Sequence, residues 1–146
     1  MKTVKQAIGN TFAIAIFALM SSSSFAHDVI NPSSVITPHP GFLTMVNVLT
    51  PAAGQQAETI RLLQAGMNET IRYQPGFISA NIHQSLNSEH VVVYAQWQDK
   101  ASVDAAVKLI QSGQAPNMAK AFTIAHADFH PYEVMSVHLA SAAQAK

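Results

Sequence analysis

The chain has 146 residues, eight basic side chains against eight acidic ones, seven histidines and no cysteine. The even charge balance lacks the clustered Lys and Arg of a nucleic-acid footprint, and the absence of thiols excludes cysteine nucleophiles, thiolate metal sites and a lipoprotein attachment site. Only 11% of residues are charged while 49% are hydrophobic, so apolar area is expected to be hidden in an oligomer or around an apolar ligand.

Lys2 and Lys5 are the only charges before Asp28, and a mostly apolar run over residues 8–20 follows them. Four serines, the last of them opening Ser24-Phe25-Ala26, complete the pattern of a secretory signal: basic start, apolar middle, small residues at the cleavage point. Gly9, Asn10 and Thr11 leave the run short of the roughly 20 residues a membrane span requires. A signal peptide over residues 1–26 is therefore expected, with a periplasmic or secreted product and no membrane association after cleavage. The remaining 120 residues carry six basic and eight acidic side chains and suffice for one domain.

Pro32, Pro38 and Pro40 mark residues 27–40 as an extended linker or arm. Residues 42–49 read as a strand that ends at Thr50-Pro51. A helix over 55–73 is expected from the stripe Ala57, Ile60, Leu63, Met67 and Ile71, and Gln74-Pro75-Gly76 stops it. Residues 77–85 alternate, with Ile78, Ala80 and Ile82 on one face and Ser79, Asn81 and His83 on the other. Asn87-Ser88 turns the chain into a strand over 90–97. A second helix covers 100–111, with Val103, Ala106, Val107 and Ile110 inside. A short helical piece follows over 117–124, and then a long last strand over 126–139 containing Pro131. Residues 140–146 form a small, polar tail that is expected to fray. The domain thus runs from 41 to 139, and its β-α-β-β-α-β order is the ferredoxin-like α+β arrangement.

Two stretches carry a likeness to a known family: Gln74-Pro75-Gly76-Phe77-Ile78-Ser79-Ala80 at the helix-to-strand turn, and Tyr94-Ala95-Gln96-Trp97 closing the third strand. With this strand order, the sequence over roughly 42–138 resembles the antibiotic-biosynthesis monooxygenase (ABM) domain. Within it the likeness is greatest to the cofactor-independent quinol-forming monooxygenases of aromatic polyketide pathways. The resemblance implies a homodimer whose two sheets form an α+β barrel, with the last strand reaching across to the partner. It also implies oxidation of an electron-rich phenol, quinol or anthrone by O2 without metal, flavin or haem, the substrate supplying the electrons.

Such chemistry needs an apolar cavity, a base to deprotonate the phenol and donors to hold the anion. Trp97 resembles the family's active-site Trp, with an N–H donor and a stacking face. His83 stands where a His occurs in the polyketide-type members, and an imidazole titrates in the range a base requires. These two are the catalytic candidates. Asn47, amid an apolar strand, resembles an Asn of the haem-degrading branch and is a candidate for binding substrate oxygen. Phe77, Asn81 and Tyr94 complete the candidate substrate-binding set. Met45, Met67 and Met118 read as gap fillers.

The departures from the family pattern are specific. Val93 replaces an Asn just before the Tyr-Ala-Gln-Trp run, and Val103 replaces a Tyr early in the second helix. The haem-degrading branch carries a Trp within the second helix, where this chain has Ala106, and a following His, which is absent from 117–122. Haem degradation is not expected. His126, Asp128 and His130 alternate onto one face of the last strand, with His138 beyond. Their ligand types suit Zn or Cu, but no group that would orient them can be named, and no metal site is assigned. The alternative to an oxygenase is a non-catalytic dimeric module that holds a small apolar or quinone-like compound.

Overall fold

The structure is a computed structural model that describes Ile36, Pro38 and residues 41–139. The expected signal peptide, most of the 27–40 arm and the 140–146 tail lie outside the described residues. Four strands form one antiparallel sheet: β1 (Leu43–Pro51), β2 (Phe77–Gln84), β3 (Val91–Trp97) and β4 (Ala125–Tyr132), in the spatial order β2-β3-β1-β4. Helices α1 (Gln56–Glu69), α2 (Lys100–Gln111) and α3 (Pro116–Ile124) complete the ferredoxin-like order, with α3 as an added turn before the last strand. Among the described residues, no helix is long and apolar enough to cross a membrane.

The helices cover one face of the sheet. Strand alternation sends Leu49 of β1 and Val91, Val93, Ala95 and Trp97 of β3 into the core, where they meet Leu62 and Leu63 of α1, Ala106 of α2 and Met118 and Ala121 of α3. Each fully buried Leu contributes about 1.5–3 kcal/mol relative to exposure. The helices α1 and α3 come unusually close: a Cβ on Gly66 would stand 3.0 Å from the Met118 backbone nitrogen, so glycine sets that spacing.

Four sequence expectations are corrected. The first helix ends at Glu69 rather than Tyr73; Thr70 leaves helical geometry, and Ile71–Tyr73 tightens into a 3-10 turn before Pro75, which disfavours helix in the residue preceding it. Its buried side is Thr59, Leu62, Leu63 and Gly66, while Ala57 is exposed. A bulge between Phe77 and Ser79 makes Ile78 the extra residue. Phe77 thereby joins Ala80 and Ile82 on the core face, and Ile78 is left exposed. Finally, β4 stops at Tyr132 rather than Leu139. It pairs only with β1, and the ladder runs out at Thr44↔Tyr132 because β1 begins at Leu43. Pro131 is tolerated because β4 is an edge strand.

Candidate active site

Between the sheet and α2 lies a cavity of about 400 Å³, within the range of small-ligand sites. The strands β1 and β3 supply its floor through Met45, Asn47, Val93, Ala95 and Trp97. Helix α2 supplies Val103, Ala106, Val107, Ile110 and Gln111. Met67 and Ile71, Met118 and Phe122, and Phe129 of β4 close the remaining walls. Val107, Gln111 and Phe129 are exposed as well as lining, so the mouth opens between α2 and the β4 edge.

One end of this space is fixed by the two sequence stretches singled out above, which fold against each other. Gly76 adopts a φ of +79°, a left-handed conformation that favours glycine, and a Cβ there would overlap Ser102 Oγ at the start of α2. Its carbonyl accepts a 2.8 Å hydrogen bond from the Gln98 N–H. The turn therefore presses Phe77 against Trp97, with ring centroids 5.2 Å apart at 83°, an edge-to-face pair. A second edge-to-face pair, Phe122 with Phe129 at 5.3 Å and 80°, stands near the mouth. The start of α2 is anchored by Asp99, whose side chain accepts from both the Ser102 N–H and the Ser102 hydroxyl at 2.8 Å. The Ser102 backbone hydrogen bond, followed by that of its side chain, holds the Asp99 carboxyl below its ordinary range.

The polar content of the cavity wall is small. Trp97 is buried, and no described residue accepts a hydrogen bond from its indole. Asn47 lines the cavity, and its Oδ1 is a buried atom without a hydrogen-bond partner. A polar group in that condition costs free energy until something pairs with it. Gln111 is the third polar contributor. None of the described lining residues is titratable.

The structure brings together Trp97, Asn47 and, through its ring, Phe77. It separates them from the rest of the candidate set. His83 lies opposite Val92, and Asn81 opposite Tyr94, so all three candidates (His83, Asn81 and Tyr94) project from the sheet face opposite α1, α2 and α3, which is helix-free among the described residues. Within one chain the sheet stands between His83 and Trp97. His83 is exposed, and together with Asn81 it borders a separate groove against Gln64 and Asn68 of α1 and Arg72 of the 3-10 turn that follows it. The Tyr94 hydroxyl is buried without a partner. On the same face, Asp128 and His130 pair at 2.9 Å; among the described residues, no group of three or more His, Asp or Glu is arranged to hold a metal ion.

Sequence reasoning did not foresee Ile71, Gln111, Phe122 and Phe129 in the wall. It read Met45, Met67 and Met118 as gap fillers, and all three line the cavity. They belong to three different elements, so only the assembled fold shows that they converge.

A family model described as antibiotic biosynthesis monooxygenase matches residues 42–117, more than half of the chain. The chain belongs to the antibiotic biosynthesis monooxygenase family. The ABM chain is 41% identical over 68 residues to tetracenomycin-F1 monooxygenase of Streptomyces glaucescens, an alignment spanning 47% of this chain and 61% of that protein. It therefore spans about three-fifths of the length of this curated relative. Among solved structures, SnoaB, a cofactor-independent oxygenase from Streptomyces nogalater, superposes with a TM-score of 0.57 at 20% identity, covering 66% of this chain and 96% of SnoaB. A Pseudomonas aeruginosa protein superposes with a TM-score of 0.51 at 16% identity, over 66% of this chain and 96% of its own. These likenesses carry the fold, and the expected ferredoxin-like α+β class agrees with them.

Proposed function

We propose that this ABM protein is a monooxygenase that oxidises a small electron-rich aromatic (a phenol, quinol or anthrone) with O2 and without a cofactor, in the cavity bounded by Trp97 and Asn47. The observation that carries the reading is the combination of an apolar cavity with an unpaired Asn47 oxygen and the Trp97 indole in its wall. Tetracenomycin-F1 monooxygenase and SnoaB supply the reaction class by analogy. In the balanced reaction, a carbon para to the oxygen gains one oxygen atom and becomes a carbonyl while two hydrogens are lost, both from the methylene of an anthrone, or one from the ring carbon and one from the hydroxyl of a phenol. The second oxygen atom leaves as water with those hydrogens, and the substrate supplies all four electrons.

The wall contributes no base, so the proton leaves the substrate to solvent at the mouth. What the residues contribute is stabilisation of the anion. The Trp97 N–H hydrogen-bonds the developing phenolate, the Asn47 Oδ1 accepts from a hydroxyl of the bound substrate and so orients it, and the apolar walls keep competing water from the reacting carbon. The pH dependence of turnover then follows the pKa of the substrate. Oxygen consumption by the metal-free protein, measured with anthrones and hydroquinones, tests the reading: uptake of one O2 per substrate supports it, and tight binding with no uptake overturns it. The latter result is what the second reading, a non-catalytic binding module, requires; the lack of a titratable wall residue is the observation in its favour.

The protein is further proposed to be exported and to work as a homodimer. The signal-like residues 1–26 support export, and a mature protein starting near His27 is the expected result of N-terminal sequencing. The position of β4 as an edge strand among the described residues, together with exposed Tyr132 and Met135 at its end and beyond it, supports pairing with a second copy. Light scattering should give a dimer at micromolar concentration.

A further inference from the structure

We infer that the cavity selects uncharged aromatics and rejects carboxylated ones of the same size. The inference rests on the reading of this cavity as the ligand site. Among the described residues its wall offers Asn47, the Trp97 N–H and Gln111 as hydrogen-bonding groups, and no Lys, Arg or His. These three can satisfy a hydroxyl or a carbonyl. None of them can neutralise a carboxylate, and an ionised carboxylate taken into an apolar site without a partner is strongly disfavoured.

The field of α2 acts in the same direction. The positive end of a helix is the usual substitute for a cationic side chain, but at the N-terminus of α2 the Asp99 carboxylate already occupies that position through Ser102. The other end of α2, near Gln111, is the negative end of the helix dipole, and the Lys108 of that last turn is exposed and does not line the cavity. Lys100 is drawn to Asp104 on the outer surface of the helix, at 2.7 Å. An anion in the cavity thus meets one neutralised helix end and one unfavourable helix end.

The test is isothermal titration under nitrogen at neutral pH, with a hydroxynaphthamide and the matching hydroxynaphthoate as probes. The two share ring system, hydroxyl and size and differ in charge. The amide is expected to bind at least roughly 30-fold more tightly than the acid. Gln111→Arg adds a cation at the mouth, next to the helix C-terminus where cations are tolerated, and should narrow that ratio by about tenfold. Ala106→Phe fills the cavity and should abolish binding of the amide. Equal affinity for acid and amide in the wild type, with Ala106→Phe still blocking both, overturns the charge selection and leaves the cavity reading intact. Amide binding that persists in a folded Ala106→Phe variant, or no binding of either probe, removes the cavity as the ligand site and the inference with it.

Discussion

Phe77 and Trp97 are register partners on β2 and β3, and their rings meet edge to face at 5.2 Å. The indole is therefore held by a neighbour that makes no use of its N–H. Trp97→Phe should keep the packing and remove the donor. Turnover should fall roughly 10²-fold, the usual scale for losing one hydrogen bond to a developing anion, with a smaller change in KM. Steady-state oxygen uptake checks this, and an unaltered kcat would take Trp97 out of the chemistry.

Asn47 presents the opposite balance. Its buried Oδ1 has no partner in the empty protein, so Asn47→Leu should stabilise the fold by about 1 kcal/mol in urea denaturation while lowering turnover. A gain in stability accompanied by a loss of activity is the signature of a group kept for its ligand. Destabilisation by the same substitution would mean that the amide is structural.

His83 faces away from the Trp97 cavity and is exposed. His83→Ala should leave stability within about 0.5 kcal/mol and turnover within about threefold, with the pH profile still set by the substrate. A loss of roughly 10²–10⁴-fold, as for a removed general base, would instead move the reaction to the helix-free face.

Gly76 combines a positive φ with contact against Ser102. Gly76→Ala should cost about 1–3 kcal/mol and disturb the Phe77–Trp97 pair, lowering activity along with stability. A variant as stable as the wild type would show that the turn does not constrain the site.

The Asp99 carboxyl is held below the ordinary aspartate range because the Ser102 N–H and hydroxyl bond its ionised form. A depressed folded-state pKa contributes stability above the unfolded value, and that contribution is lost as pH falls through the folded value. The stability gap between wild type and Asp99→Ala should therefore be full at neutral pH and shrink on acidification below about 3.8. A gap independent of pH would mean that Asp99 acts through something other than its charge.

Much of the architecture was legible because strand alternation and turn residues are local signals. The bounds of α2 were read without error, and those of β2 and β3 to within one residue. Trp97 and Asn47, singled out by one family motif and one polar residue in an apolar strand, both line the cavity. The other candidates failed to join them because alternation along β3 sends Tyr94 and Trp97 to opposite faces, and the bulge after Phe77 breaks the simple alternation of β2. Which of the two faces the helices would cover depends on tertiary packing, and no short window of sequence carries it. The end of β4 was misread for a related reason: β-propensity continues past Tyr132, but the partner strand does not.

Trp97 is the single tryptophan of the chain and lies 5% exposed in the cavity wall. All indole fluorescence of the protein thus originates at one address. The emission of the folded state should be blue-shifted and should move to the red on unfolding, so one optical channel follows the fold. A bound quinone, which accepts excitation or an electron at contact distance, should darken the same band. The residue assigned to hold the substrate is thereby also a built-in spectroscopic probe of whether the cavity is occupied.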